Sequence, residues 1–230
     1  MREAVSPSII GHRGAAGLVA ENTVPSFKAA LRHAVDGVEL DVYWVHGELW
    51  VIHDARVDRT TNGKGRLVDL TRSQLRALDA GGAPIPTLSQ VLAVVPQDLL
   101  VNIELKGPGT AEPVCRIAED LDDRSLLISS FDHEALATYR GCGGTAPIGV
   151  LSERWRTGLL DTAAQLQAAS INLNWRAVTA ARARQVHQAG LALMAYTVNR
   201  LPTGRRLARL GVDAVFTDRP DRITRAALAL

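Results

Sequence analysis

Eight short β-type runs, each followed by a longer amphipathic stretch rich in Ala, Leu and Arg, restrict this chain to few possible folds. The runs are Ser8 to Gly11, Gly37 to Trp44, Leu99 to Leu105, Ser125 to Ser129, Ala146 to Leu151, Ser170 to Leu173, Leu191 to Thr197 and Asp213 to Phe216. Helical periodicity marks Thr23 to Ala34, Thr87 to Val95, Ala111 to Leu121, His133 to Arg140, Thr162 to Ala168, Thr179 to Ala189, Leu201 to Leu210 and Pro220 to Leu228. Alternation of this kind leads to a parallel sheet covered by helices. Eight such units in 230 residues fit an α/β fold of the closed (β/α)8 TIM-barrel type better than an open doubly wound sheet. Thr23, Thr87, Thr179 and Asp218 are suited to cap helix N-termini, and Gly37, Gly190 and Gly211 suit helix exits.

One stretch breaks the alternation. Glu48 to His53 reads as a short strand returning from the turn His46-Gly47. Turn-rich sequence then follows in Thr60-Thr61-Asn62-Gly63-Lys64-Gly65 and Ala80-Gly81-Gly82-Ala83-Pro84-Ile85-Pro86, around a helix-like piece at Arg72 to Leu78. The expectation is a small insertion, residues 54–86, after the second barrel strand, within a single domain of residues 1–230. An insertion after a barrel strand lies at the C-terminal face, where it would wall the site.

Composition excludes several classes of function. A chain that is 47% hydrophobic and 22% charged can bury one sizeable core. With 26 basic against 24 acidic side chains and no basic helix or tail, no nucleic-acid partner is expected. Cys115 and Cys142 form neither a metal-binding pair nor a disulfide framework, which suits a reducing compartment. The Met1-Arg2-Glu3-Ala4 start and the lack of any run of membrane-spanning length lead to the expectation of a soluble, cytoplasmic protein with no stable membrane insertion. Oligomeric state is not legible.

Polar groups that would be costly to bury recur at strand ends: His12-Arg13-Gly14, Glu39-Leu40-Asp41, His53-Asp54 and Glu104-Leu105-Lys106. Glu39 and Asp41 are two apart on a strand and share a face, and Glu104 with Lys106 repeats the geometry on the next barrel strand. If those strands are neighbours, three carboxylates converge, and a hard divalent cation is the usual remedy for their repulsion. Ion pairing along a barrel rim is the plainer reading of any one of them. His12 and His53 are suited to proton transfer, and Arg13 with Lys106 to a phosphate. Gly14 permits close backbone approach, while Glu21-Asn22-Thr23 can combine ligand contact with helix capping. The set suits phosphoryl chemistry, and equally a metal-dependent lyase or aldol-type reaction.

Other features have plainer readings. Trp44, Trp50, Trp155 and Trp175 pack strands or line the mouth. Asn199 closes a polar side of the site or caps a strand, Asp218 caps a helix, and His33, His46, His133 and His187 face solvent.

The ordered set Gly11-His12-Arg13-Gly14, Glu21-Asn22-Thr23, Glu39-Leu40-Asp41, His53-Asp54 and Glu104-Leu105-Lys106 resembles the glycerophosphodiester phosphodiesterase family. The likeness continues through Thr60-Thr61-Asn62-Gly63, Pro86-Thr87-Leu88, Ser129-Ser130-Phe131, Thr197-Val198-Asn199 and Thr217-Asp218 and so covers nearly the whole chain. Each piece alone is weak, and the ordered set is strong. The resemblance implies a barrel with an insertion after the second strand, a divalent cation (Mg2+ or Ca2+), and hydrolysis of a small-molecule glycerophosphodiester to glycerol 3-phosphate and an alcohol. It implies Glu39, Asp41 and Glu104 as metal ligands, His12 and His53 as the acid/base pair, and Arg13 and Lys106 as phosphate contacts. Ala20 stands where the family often has Pro, and Tyr196 where Trp commonly precedes Thr-Val-Asn, a change that bears on how the substrate's organic part packs. A lipid-directed relative, lysophospholipase D-like or sphingomyelinase D-like, is the alternative, and a non-catalytic ligand-binding barrel is a third.

Overall fold

In the computed structural model, which describes residues 6–121 and 123–229, the β-type runs form strands at nearly the expected positions. The Met1 to Ala4 start lies outside the described residues. The strands are β1 (Ser8–His12), β2 (Gly37–Val45), β3 (Glu48–Val51), β4 (Leu100–Leu105), β5 (Leu126–Ser130), β6 (Ile148–Ser152), β7 (Ser170–Asn174), β8 (Ala192–Tyr196) and β9 (Ala214–Thr217). All but β3 run parallel in the order β1-β9-β8-β7-β6-β5-β4-β2, and pairing of β1 with β2 closes the ring. The fold is a (β/α)8 TIM barrel.

Between the strands lie α1 (Val24–Leu31), α2 (Arg72–Ala77), α3 (Leu88–Leu92), α4 (Ala111–Glu119), α5 (His133–Gly141), α6 (Leu159–Gln165), α7 (Ala180–Gln188) and α8 (Leu201–Arg209), with α9 (Arg225–Leu228) after the last strand. The threonine caps form as expected, with Thr23, Thr87 and Thr179 accepting from Ser26, Gln90 and Arg182 amides. Two helices depart from expectation. Gly158, left-handed at φ 81°, turns the chain into α6 three residues early, and Leu159 and Ala163 are buried there. The last helix starts at Arg225, capped by the Thr224 side chain, because the Asp218 carboxylate is engaged elsewhere. Gly37 also differs: it opens β2, where a Cβ would lie 2.5 Å from the Leu100 carbonyl oxygen.

Strand alternation sorts the barrel into two layers. Val38, Leu40 and Val42 of β2 and Val101, Ile103 and Leu105 of β4 face outward and join Phe27, Ala30, Leu88 and Val91 in the main core. The opposite faces fill the interior, with Ile10, Ala214 and Phe216 packed against Leu100, Met194 and Tyr196. Higher in the barrel the inward positions become polar: Glu39 and Asp41, Asn102 and Glu104, Ser129, and Asn172 are all buried.

The insertion after the second barrel strand is built on β3, which pairs antiparallel with the far end of β2. It has its own apolar cluster of Val45, Trp50, Ile52, Val57, Leu67, Leu75, Ala80 and Ile85. Asn62 and Asp79 lock its turns, since the Asn62 amide donates to the Asp79 carbonyl and the Asp79 amide to Asn62 Oδ1, both at 2.9 Å. The insertion packs on the rim through this cluster, and so carries His53 and Asp54 to the mouth.

Candidate active site

The first barrel loop is shaped by unusual backbone. Arg13 and Asn22 are left-handed at φ 52° and 57°, and Gly14, at φ 83°, approaches α1 so closely that a Cβ would lie 2.6 Å from Ser26. Only glycine fits there. The fold aims the Arg13 amide at Glu39 Oε2, 2.9 Å away, and brings Asn22 Nδ2 to Asp41 Oδ2 at 2.8 Å.

Glu39, Asp41 and Glu104 converge as their spacing predicts. One oxygen from each lies within 4.8 Å of the others, and the residues are 2%, 0% and 7% exposed. Register explains the meeting, because Asp41 pairs with Glu104 across β2 and β4. Two cations flank the group: Arg13 Nε and Lys106 Nζ each stand 3.2 Å from Asp41, and Lys106 also bonds Glu104. Burial opposes ionisation of Asp41, but Lys106 and Arg13 outweigh it and hold the carboxyl below its usual range. Burial and then the charge of Asp41 push Glu39 up to about 7 and Glu104 up to about 8.

These residues fit a cation. Glu39 Oε1 is buried without a hydrogen bond and Asp41 Oδ1 has only its ion pair with Lys106, and two cationic side chains are too few to keep three adjacent carboxylates ionised. An all-oxygen donor set of this kind suits a hard divalent ion.

Both predicted histidines reach the same cleft, each backed by a carboxylate. His12 Nδ1 donates to Asp218 Oδ1 at 2.6 Å, leaving Nε2 3.9 Å from Glu39 Oε2. His53 Nδ1 donates to Asp54 Oδ1 at 2.6 Å. A carboxylate accepts, so in both rings Nδ1 carries the proton and Nε2 is free for chemistry. Burial lowers the basicity of each ring. For His12 the Glu39 charge and the Asp218 hydrogen bond more than compensate, so its pKa is raised, whereas His53 remains lowered.

The cleft above the cluster has a volume of about 310 Å³ and is lined by His12, Arg13, Glu39, His53 and Glu104, but not by Asp41 or Lys106, which sit behind its wall. Its far side is formed by Phe131, Glu153, Asn174, Trp175 and Tyr196. Phe131 meets Tyr196 edge to face at 5.7 Å. Most of these residues are inward positions at the C-terminal ends of successive strands, where period two delivers them.

Asp218 was expected to cap a helix and instead buttresses His12. Asn199 holds it there, with Nδ2 donating to Asp218 Oδ2 at 2.5 Å and Oδ1 accepting from the Asp218 amide at 2.9 Å. The available signal was weak: Asp218 lies two residues beyond Phe216, just past the end of β9, and so continues that strand's inward face. Of the tryptophans, Trp50 is buried in the insertion and Trp175 lines the cleft. His33, His133 and His187 are half-buried rather than solvent-facing. His133 bonds the Leu151 carbonyl and His187 bonds Asp213, both at 2.9 Å. His46 is exposed and meets the Leu70 carbonyl.

Fold and cluster together define a class, the TIM barrels whose acidic site at the barrel mouth can hold a metal ion. Residues 12–222 match the glycerophosphoryl diester phosphodiesterase family, and the chain belongs to it. It is accordingly a phosphoric diester hydrolase. A glycerophosphodiester phosphodiesterase of Caldanaerobacter subterraneus subsp. tengcongensis is 34% identical, with 94% of this chain and 95% of that one covered. One from Bacillus altitudinis is also 34% identical, over 93% of this chain and 95% of the relative. Among solved structures, an Oleispira antarctica phosphodiesterase in complex with the product sn-glycerol-3-phosphate superposes with TM-score 0.88 at 27% identity, covering 97% of both chains.

Proposed function

We propose that this protein hydrolyses small glycerophosphodiesters to glycerol 3-phosphate and an alcohol, with Mg2+ or Ca2+ held by Glu39, Asp41 and Glu104. The observation that carries this reading is the placing of two carboxylate-backed imidazoles and a buried carboxylate cluster around one cleft. The product held by the Oleispira antarctica relative supports the choice of substrate. The whole chain would act as one unit, with residues 54–86 walling the site. Two free thiols suit work in the cytoplasm, and among the described residues no helix is long and apolar enough to cross a membrane.

When bound, the divalent ion supplies Lewis acidity to the phosphate and lowers the pKa of a hydroxyl nucleophile. Arg13, at the cleft wall, meets the phosphate directly, and Lys106 offsets its charge from just behind. His12 and His53 divide the proton work. One Nε2 takes the proton of the attacking hydroxyl, and the other gives a proton to the departing alcohol oxygen. Attack by the substrate's own glycerol hydroxyl forms a cyclic phosphate that water then opens, with the rings exchanging roles. Direct attack by water gives the phosphomonoester in one step.

A lipid-directed reading calls for a non-polar patch on the insertion. Among the described residues, Val68 is the one large hydrophobic side chain that the insertion exposes, while Leu18 and Phe131 are exposed outside it, so the insertion itself supplies no such patch.

Phosphorus NMR of reactions containing glycerophosphocholine, glycerophosphoethanolamine, glycerophosphoglycerol or lysophosphatidylcholine dispersions tests the reading. Growth of the glycerol 3-phosphate signal with the soluble diesters is the expected result. Turnover confined to the lipid overturns it.

A further inference from the structure

Arg59, on the insertion, touches neither the cleft nor the carboxylate cluster, yet it joins the two halves of the site. Its guanidinium donates through Nε to Asp54 Oδ2 at 2.6 Å, and through Nη1 and Nη2 to both oxygens of Glu21 at 2.9 and 2.8 Å. Asp54 is the carboxylate behind His53. Glu21 is the carboxylate that holds Arg13, accepting from its Nη1 at 2.8 Å. One side chain therefore closes a continuous path: His53, Asp54, Arg59, Glu21, Arg13, Asp41.

We propose that Arg59 is a positioning residue that sets the acid/base histidine of the insertion and the phosphate-binding arginine of the first barrel loop in register with each other. The assignment rests on the function proposed above for His53 and Arg13. Three features of the path support the assignment. The planar fork of Arg59 matches the Glu21 carboxylate with two parallel bonds while the third nitrogen reaches a different loop, a geometry that an ammonium cannot reproduce. Glu21 and Asp54 have no hydrogen bond to each other, so the link between their loops runs through this guanidinium. Asp54 divides its oxygens between Arg59 and His53, and Glu21 Oε1 is shared by Arg59 and Arg13, so that moving Arg59 moves both. Hydrogen bonding to Arg59, against the cost of burial, holds the Asp54 carboxyl down at about 2, so it remains an acceptor for the His53 ring at any working pH.

The Arg59 side chain is 49% exposed, and exposed ion pairs contribute little to stability. Its effect should therefore appear in turnover rather than in melting. Glu21 and Asp54, 19% and 30% exposed, are the groups whose positions it determines.

A double-mutant cycle separates positioning from mere structure. Glu21→Gln and Asp54→Asn are combined in the wild-type background and again with Arg59→Ala, and kcat and KM are measured for glycerophosphocholine. Arg59→Ala should lower kcat/KM about ten- to a hundredfold with the melting temperature little changed, as loss of an orienting partner commonly does. The Glu21 and Asp54 substitutions should be non-additive with Arg59 present and additive without it. Arg59→Lys, which keeps charge but loses the fork, should recover part of kcat and none of the coupling. It carries the test if the alanine variant fails to fold. Proton NMR of the His53 Nδ1–H gives a readout independent of turnover, and the resonance should shift or broaden in either variant. Unchanged kcat/KM with an unchanged resonance overturns the proposal, as does coupling that persists without Arg59. If wild type turns over no phosphodiester, the functional reading fails separately, and the imidazole resonance still decides whether Arg59 positions the ring.

Discussion

Asp218 grips Nδ1 of His12 at 2.6 Å across 206 residues of sequence. The bond joins the last barrel strand to the first, so closure of the ring and orientation of the imidazole are one event. Burial works against ionisation of Asp218, and the His12 hydrogen bond prevails and keeps its pKa low. Asp218→Asn preserves shape but no longer fixes the tautomer, because an amide can either donate or accept. Turnover should fall by about 10²–10⁴, with affinity for the divalent cation unchanged by calorimetry. Asn199→Ala should cost less, since His12 keeps its own bond to Asp218. Wild-type kcat in Asp218→Asn would contradict the orienting role.

The residues that converge through strand register were legible in the sequence, because a spacing of two on adjacent parallel strands leaves little freedom. Glu39, Asp41 and Glu104 meet for that reason, and the strand runs themselves shift by no more than two residues at either end. Contacts made by loops were not legible. Nothing local links Asp218 to His12, or Arg59 to Glu21 38 residues away, since such pairs depend on barrel closure and on the path of the insertion. Asp218 in particular sits before a proline in a setting that reads equally well as a cap. The helix boundaries that shifted did so where a left-handed glycine, Gly158, or a competing cap, Thr224, took control of the turn.

Protons would compete with a bound cation for the same oxygens. Glu39 at about 7 and Glu104 at about 8 are raised from 4.5, so the metal-free native state holds protons that the unfolded chain releases. Their contribution to stability is full below pH 4.5 and is lost as pH rises through about 7 to 8. Asp41, with its pKa lowered, works in the opposite sense: it contributes above 3.8 and loses that contribution as pH falls. Chelated protein should therefore lose stability between about pH 5 and about pH 8.5, and added Mg2+ or Ca2+ should restore more at the upper end while releasing protons. Urea midpoints with and without metal across that range check this. A metal increment independent of pH would contradict it.

Trp50 anchors the insertion. It is 1% exposed, and its indole Nε1 donates to the Val45 carbonyl at 3.2 Å. Trp50→Ala removes the largest side chain of the small cluster and should cost about 3–5 kcal/mol. Hydrogen exchange should show the loss concentrated in residues 45–85, with the barrel strands still protected. Uniform loss across the barrel would mean that the insertion and the barrel core unfold as one.

The account depends above all on the three carboxylates holding the ion that turnover requires. The most direct measurement follows glycerol 3-phosphate release from glycerophosphocholine by chelated protein as Mg2+ or Ca2+ is restored, for wild type beside Glu39→Gln and Glu104→Gln. Wild type should be inert after chelation and recover with metal. Both variants should stay folded, melt no lower than chelated wild type near neutral pH because a neutral amide needs no proton taken up on folding, and remain inert at every metal concentration. Full turnover in the presence of chelator, or metal-restored turnover in either variant at the wild-type level, would contradict the account.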